Sequence, residues 1–159
     1  MILYHGSNLL VDKPQIIATA RRLDFGVGFY LTSSYEQAER WAVLTAKRKG
    51  EGKAQVISYE FNEAELDNFK ILIFKEANVE WLKYASHNRK DPQASDDYDV
   101  VIGPVANDRT MPVISAYFAG IYDEEETIRR LMPQKLQNQY VFKTELSLSL
   151  LSFKETKLL

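Results

Sequence analysis

Short apolar segments separated by polar and glycine-containing stretches predict several β-strands. Residues 55–61 (Gln-Val-Ile-Ser-Tyr-Glu-Phe) alternate largely between apolar and polar side chains, as a strand with one buried face does. Aromatic and β-prone residues follow a glycine turn in residues 26–32 and predict another strand there. The predicted strands are residues 2–5, the end of 26–32, 55–61, 71–74 (short and buried), 98–104 and 139–144, with a further one in the tail between 148 and 157.

Four segments have the residue pattern of helices. Ala42 and Trp41 lie four and three residues after Ala38, which is the spacing of one helix face. Ser33 or Ser34 would cap this helix, and the glycines at 50 and 52 would end it. The predicted helices run from 33 or 34 to about 49, from 76 to 87, from 107 or 108 to about 119, and from about 124 to 131.

The order of these elements is strand, helix, strands, helix, strand, helices, strands. This mixture predicts an α+β fold rather than a regular βαβ succession. A length of 159 residues suits one domain with a sizeable core. Because the chain has no internal repeat, low-complexity tract or long linker, we expect a single domain over residues 1–159.

Composition and charge exclude several classes of site. The net charge of −2 gives no overall basic footprint for nucleic acid. The absence of cysteine excludes a disulfide framework, a thiolate zinc site and a cysteine nucleophile. With only two histidines and no spaced ligand motif, we expect no metal. No secretory signal pattern or long apolar run is present, so we expect a cytoplasmic protein that does not contact a membrane.

Three segments carry candidate chemistry. His5 ends a predicted strand and precedes Gly6, so a ligand could approach the backbone beside the imidazole; a plain strand end has the same pattern. Tyr30 and Trp41 could together stack a flat cationic ring, although a helical tryptophan is more often part of the core. Gln139 opens a late strand and could bind a sugar hydroxyl. The Gly-x-Gly at 26–28 lacks a third glycine and leads into a strand, which disfavours a phosphate loop.

In this order, the segments Tyr4-His5-Gly6-Ser7, Gly26-x-Gly28-Phe29-Tyr30-Leu31-Thr32, Trp41 and Asn138-Gln139-Tyr140 resemble the three motifs of diphtheria-toxin-like ADP-ribosyltransferases and poly(ADP-ribose) polymerases. The resemblance spans roughly residues 2–143 and extends to small bacterial proteins, some of them toxin-like partners of small antitoxins. It implies an ADP-ribosyltransferase-like split β-sandwich: two facing antiparallel sheets with peripheral helices and a cleft between them.

The resemblance also assigns roles, with NAD+ as substrate and no metal. His5 would bind a hydroxyl of the nicotinamide ribose, and Gly6 would hold the nicotinamide amide through its backbone. Tyr30 and Trp41 would stack the nicotinamide ring, and Ser7 would lie near the adenosine. The remaining assignments come from sequence position and not from the resemblance. Arg21 and Arg22 precede the glycine turn and could meet the pyrophosphate, with Arg22 assigned to the site, although an exposed loop pair has the same pattern. Asp108 and Glu145 could assist on the acceptor side.

Gln139 departs from the family pattern, because it occupies the position of the catalytic glutamate. An amide can bind a ribose but carries no charge and cannot act as a base. The resemblance therefore implies mono-ADP-ribosyl transfer to a macromolecule, with a protein acceptor favoured over nucleic acid. It also suggests that the chain is the toxin of a toxin–antitoxin pair. Two alternatives stay open: NAD+ hydrolysis by a glycohydrolase, and a non-catalytic module that binds NAD+ or a protein.

Overall fold

The computed structural model describes residues 1–19 and 21–159, in which helices pack on a seven-stranded sheet. The strands are β1 (Ile2–Ser7), β2 (Phe29–Thr32), β3 (Gln55–Phe61), β4 (Ile71–Ile73), β5 (Val100–Pro104), β6 (Asn138–Phe142) and β7 (Leu151–Leu158). The helices are α1 (Tyr35–Lys49), α2 (Val79–Lys90), α3 (Met111–Phe118) and α4 (Glu124–Leu131), with 3-10 segments at Glu63–Asn68 and Leu146–Leu150. The α+β class expected from the order of elements is confirmed.

Local capping signals explain where the first two helices begin and end. The Ser34 side chain accepts a hydrogen bond from the Gln37 amide, and α1 ends at Gly50 in the left-handed conformation with φ of 68°, as predicted. Helix α2 begins three residues later than predicted, because the Asn78 side chain accepts from the Trp81 amide at 2.9 Å and caps the helix there.

Two other predictions need correction. Ile73 in β4 is 49% exposed, because β4 is a short edge strand and not a buried one. Helix α3 is capped at Thr110 and not at Asn107 or Asp108. The Asn107 side chain instead accepts from the backbone of Arg109 and Thr110, so it stabilises the turn that precedes the helix.

Hydrogen bonds join all seven strands into one sheet in the order β4-β5-β6-β2-β1-β3-β7, not the two sheets expected. The two halves of this sheet meet at a single pair, Tyr4 with Thr32. In contrast, β1 pairs with β3, and β2 with β6, along their whole lengths. Beyond Tyr4 and Thr32, β1 and β2 therefore diverge, and a gap opens in the middle of the sheet.

Each face of the sheet carries its own apolar core. Leu3, Ile57 and Phe142 belong to the core on one face. Phe25 and Trp81 belong to the core on the other face, where α2, α3 and α4 contribute side chains. Within the two described ranges, no helix has both the length and the apolar character needed to span a bilayer.

Candidate functional site

A cleft of about 1200 Å³ opens where β1 and β2 diverge. Side chains alternate between the two faces of a strand, so Gly6, Tyr30 and Gln139 lie on the face that α1 covers, whereas His5 and Phe29 lie on the opposite face. All five residues line the cleft. Residues from opposite faces can share it because the strand ladder is interrupted beside it.

The cleft unites most of the residues predicted for the site, although they are spread along the chain. Those that line it are His5, Gly6, Ser7, Tyr30, Trp41, Asp108 and Gln139. Residues 9–19 and 21–23 of the long loop between β1 and β2, together with α1 and the loop after β5, complete its walls. Ser7 is buried, and its hydroxyl accepts from the Leu9 amide at 3.1 Å, which fixes the start of the long loop.

Two predicted residues lie outside this lining. Arg22 points to the end of α2, where its Nη1 donates to the Lys90 carbonyl at 3.1 Å, and its neighbour Arg21 lines the cleft instead. Glu145 accepts a hydrogen bond from the Ile16 amide at 3.4 Å and supports the long loop from outside the cleft. In both cases the direction of a loop decides which side chain reaches the site.

His5 is held in one orientation. Its ring stacks on Phe29 with centroids 4.4 Å apart and an interplanar angle of 28°. Its Nδ1 lies 2.8 Å from the Tyr30 carbonyl oxygen, so this nitrogen carries the proton and donates. Burial lowers the pKa of His5, an effect that this hydrogen bond opposes only in part. The imidazole is therefore neutral at pH 7, and Nε2 can accept a hydrogen bond.

The lowered pKa of His5 predicts a pH dependence of folding. Its unfolded-state pKa is about 6.5, so below that pH the unfolded chain takes up a proton that the folded chain resists. As the pH is lowered below 6.5, the free energy of unfolding should decrease until the pH passes the folded-state pKa. The melting temperature should therefore drop less between pH 7.5 and pH 5.5 in His5→Asn than in the wild type. The His87→Asn variant changes the exposed second histidine, and its melting temperature should drop as much as that of the wild type. Equal drops in all three proteins would contradict the assignment.

Tyr30 presents an uncharged aromatic ring to the cleft. Its hydroxyl donates to the Gly26 carbonyl at 2.7 Å and accepts from the Phe25 amide at 3.1 Å. Burial is the main cause that raises the pKa of Tyr30, and the charge of Asp24 raises it further. The phenol therefore stays protonated at neutral pH, which suits stacking and not base catalysis.

Gln139 lies deep in the cleft and is only 3% exposed. Its Nε2 donates to the Pro104 carbonyl at 3.4 Å, and its backbone pairs with Thr32 on β2. Because Nε2 is engaged in this way, Oε1 is the atom that can accept from a hydroxyl of a ligand.

Arginines from distant segments converge at the cleft. Arg89, from α2, forms a 2.6 Å ion pair with Asp24, whose side chain is 8% exposed. Burial is the main cause that lowers the pKa of Arg21; the charges of Arg48 and Arg89 lower it further, and that of Asp24 opposes them. Arg21 and Arg89 both line the cleft, and guanidinium groups there are suited to an anion. Sequence reasoning missed Arg89, because it belongs to no motif.

The described part of the chain contains no group of three or more His, Asp or Glu residues placed to hold a metal ion.

Comparison with known proteins gives a family for the chain. Neither a curated protein nor a solved structure matches it. A protein-family model described as "Protein of unknown function (DUF3990)" matches residues 1–153 and so covers β1–β6 and all the residues predicted for the site. The chain therefore belongs to the DUF3990 family.

Proposed function

We propose that this chain is a mono-ADP-ribosyltransferase that uses NAD+ and modifies a protein, with an ADP-ribosyltransferase-like fold. The observation that carries this proposal is the shared cleft, in which His5, Tyr30, Trp41 and Gln139 meet. These four residues belong to the segments that resemble the transferase motifs. The break between β1 and β2 supports the split-sandwich part of the proposal.

The nicotinamide end of NAD+ would occupy the gap between β1 and β2. The rings of Tyr30 and Trp41 offer aromatic faces that attract a cationic ring. The backbone of Gly6 lines the cleft and would hold the carboxamide, whereas α1 fills the space beside its Cα. Nε2 of His5 would accept from a hydroxyl of the adjacent ribose, as its neutral tautomer permits.

The pyrophosphate would lie against the arginines. Arg21 and Arg89 both line the cleft, and the Asp24 carboxylate fixes Arg89 from behind. Guanidinium groups pair well with phosphate oxygens, and such charge-assisted hydrogen bonds are among the stronger ones in proteins. Of the two arginines that the sequence offered for the pyrophosphate, Arg21 thus takes this role and Arg22 does not.

In the proposed reaction, the bond between the ribose C1′ and the nicotinamide nitrogen breaks, and its electron pair leaves with neutral nicotinamide. An acceptor lone pair then forms the new bond to C1′, and the acceptor's proton passes to a base. Gln139 can orient the ribose through Oε1, but it cannot take this proton. Asp108 is an exposed carboxylate in the cleft lining and could take it.

The walls of the cleft favour a protein as acceptor. Six aliphatic side chains in the lining are more than a third exposed: Leu9, Leu10, Ile17, Val43, Leu44 and Met111. Four cations and four carboxylates also line it: Lys13, Arg21, Arg40 and Arg89 against Asp12, Asp24, Glu39 and Asp108. An apolar wall with balanced charge suits a protein surface better than a polyanion. A toxin role and an antitoxin partner belong to the same proposal and rest on the resemblance.

The experiment that tests this function follows nicotinamide release from NAD+ in the presence of host-cell extract. Wild-type protein should release nicotinamide, and His5→Ala should do so about tenfold more slowly, because one hydrogen bond to the ribose is lost. The exposed His87→Ala serves as control and should match the wild type. With NAD+ labelled on the adenine, label should move into the protein fraction.

Other outcomes would replace the proposal. Release without any labelled macromolecule would indicate a glycohydrolase, and label in the nucleic-acid fraction would move the acceptor to that class. Thermal stabilisation by NAD+ without release would indicate a binding module. If NAD+ neither stabilises the protein nor is consumed, the cleft does not bind it.

A further inference from the structure

A compact polar cluster lies outside the cleft, where the end of β6 meets α2. The Lys143 Nζ is 2.7 Å from Oδ2 of Asp96, and the Tyr84 hydroxyl donates to the same oxygen at 2.6 Å. Lys143 and Tyr84 are also joined directly, at 3.1 Å. The Lys143 side chain is only 9% exposed and that of Asp96 17%, so this ion pair is shielded from water.

This cluster supports the glycine turn that carries Tyr30. A Cβ placed on Gly26 would lie 3.4 Å from Nζ of Lys143, and one placed on Gly28 would lie 3.5 Å from its Cγ. The Tyr84 ring packs against Phe25, with centroids 5.7 Å apart. Lys143 therefore lies beside the turn at both glycines, and Tyr84 packs against the residue that precedes them.

The glycine turn then fixes the position of the Tyr30 ring. The Tyr30 hydroxyl is bonded to the carbonyl of Gly26 and to the amide of Phe25, so a shift of the turn moves the ring with it. Gly26 has a φ of 80°, a conformation that costs glycine little, and it adds no side-chain contact of its own. Groups outside the turn help to set its position. Asn88 and Lys143 lie beside Gly26, and Arg89 pairs with Asp24 on the side before Phe25.

We propose that Lys143, through its ion pair with Asp96, is a positioning residue that sets the depth of the Tyr30 ring in the cleft. This inference rests on the proposed use of NAD+, since Tyr30 would stack the nicotinamide. Lys143 itself does not line the cleft. Removal of its charge leaves the Asp96 carboxylate, whose side chain is 17% exposed, without its cation, and the cluster and the turn beside it then rearrange.

Two ligands that differ in the nicotinamide group test this role. Calorimetry should show that Lys143→Met binds NAD+ about tenfold more weakly than the wild type, because the stacking on Tyr30 is lost. Its affinity for ADP-ribose, which lacks nicotinamide, should be unchanged. Lys143→Arg keeps the charge and should restore most of the affinity for NAD+. Lys154→Met removes an exposed lysine of β7 and should leave both affinities unchanged.

The inference is overturned if Lys143→Met loses affinity for both ligands equally, or for neither. Should that variant not fold, Tyr84→Phe removes only one hydroxyl from the cluster and replaces it in the test. Its affinity for NAD+ should then fall relative to its affinity for ADP-ribose.

If the wild type does not bind NAD+, the proposed function fails, and hydrogen exchange tests separately whether Lys143 positions the turn. The amides of residues 25–30 should then exchange faster in Lys143→Met than in the wild type, and unchanged exchange would refute it.

Discussion

The Gln139→Glu variant should release nicotinamide from NAD+ about a hundredfold faster than the wild type at alkaline pH. Departure of nicotinamide builds positive charge on the ribose, and a carboxylate beside it stabilises this charge where an amide cannot. Gln139 already lies in the cleft that His5 and Tyr30 line. The substitution changes charge with little change in shape, so the position of the ligand should be preserved.

Burial adds a pH dependence to this gain. Position 139 is 3% exposed, and its side chain faces the Pro104 carbonyl at 3.4 Å. Both features disfavour a negative charge, so they should raise the pKa of the introduced carboxyl. In its protonated form this group would donate to Pro104 as the amide does. Initial rates of nicotinamide release between pH 6 and 9 should therefore rise with pH in Gln139→Glu and stay nearly flat in the wild type.

Gln139→Ala is the matched control, because it removes the hydrogen bond to Pro104 without adding charge. It should be no faster than the wild type at any pH. A folded Gln139→Glu protein that binds NAD+ yet shows no gain would mean that residue 139 does not face the reacting carbon, and the transferase proposal would lose its chemical basis.

Sequence patterns predicted the elements best where the signals are local. The serine cap and the glycine end of α1 lie within or next to the helix, so the sequence places both ends correctly. The predicted start of α2 lies three residues too early, because the hydrogen bond between the Asn78 side chain and the Trp81 amide sets the start of the helix. The pairing of β1 with β2 at Tyr4 and Thr32 alone depends on how distant segments assemble into the sheet, which no local pattern records.

The residues of the candidate site also divide into those with local sequence signals and those without. His5, Gly6 and Tyr30 could be predicted because each lies in a contiguous segment, now part of β1 or β2, that resembles a transferase motif. Arg21 and Arg22 are adjacent in a loop, and no periodicity tells which of them turns inward. Arg89 reaches the cleft only through the packing of α2. Residues contributed by loops and distant helices are thus the part of the site that required the structure.

Gly6→Ala should destabilise the protein by about 3 kcal/mol. An added Cβ would lie 2.2 Å from the Ala38 carbonyl oxygen and 2.6 Å from the Ala42 amide nitrogen. Both atoms belong to the backbone of α1, so no side chain can rotate away, and the helix must move off β1. Trp41 moves with the helix, and folded protein should therefore bind NAD+ more weakly. Denaturant unfolding and NAD+ titration measure the two effects.

Gly50→Ala separates this steric cost from the ordinary cost of replacing glycine. Gly50 has a φ of 68° and nothing within 4 Å of its added Cβ, so its substitution strains the backbone but creates no clash. That strain costs about 1 kcal/mol and leaves α1 seated on β1. NAD+ affinity should therefore fall in Gly6→Ala and stay constant in Gly50→Ala. Equal NAD+ affinities in the two variants would contradict this prediction. They would show that the distance between α1 and β1 does not determine how Trp41 contacts the ligand.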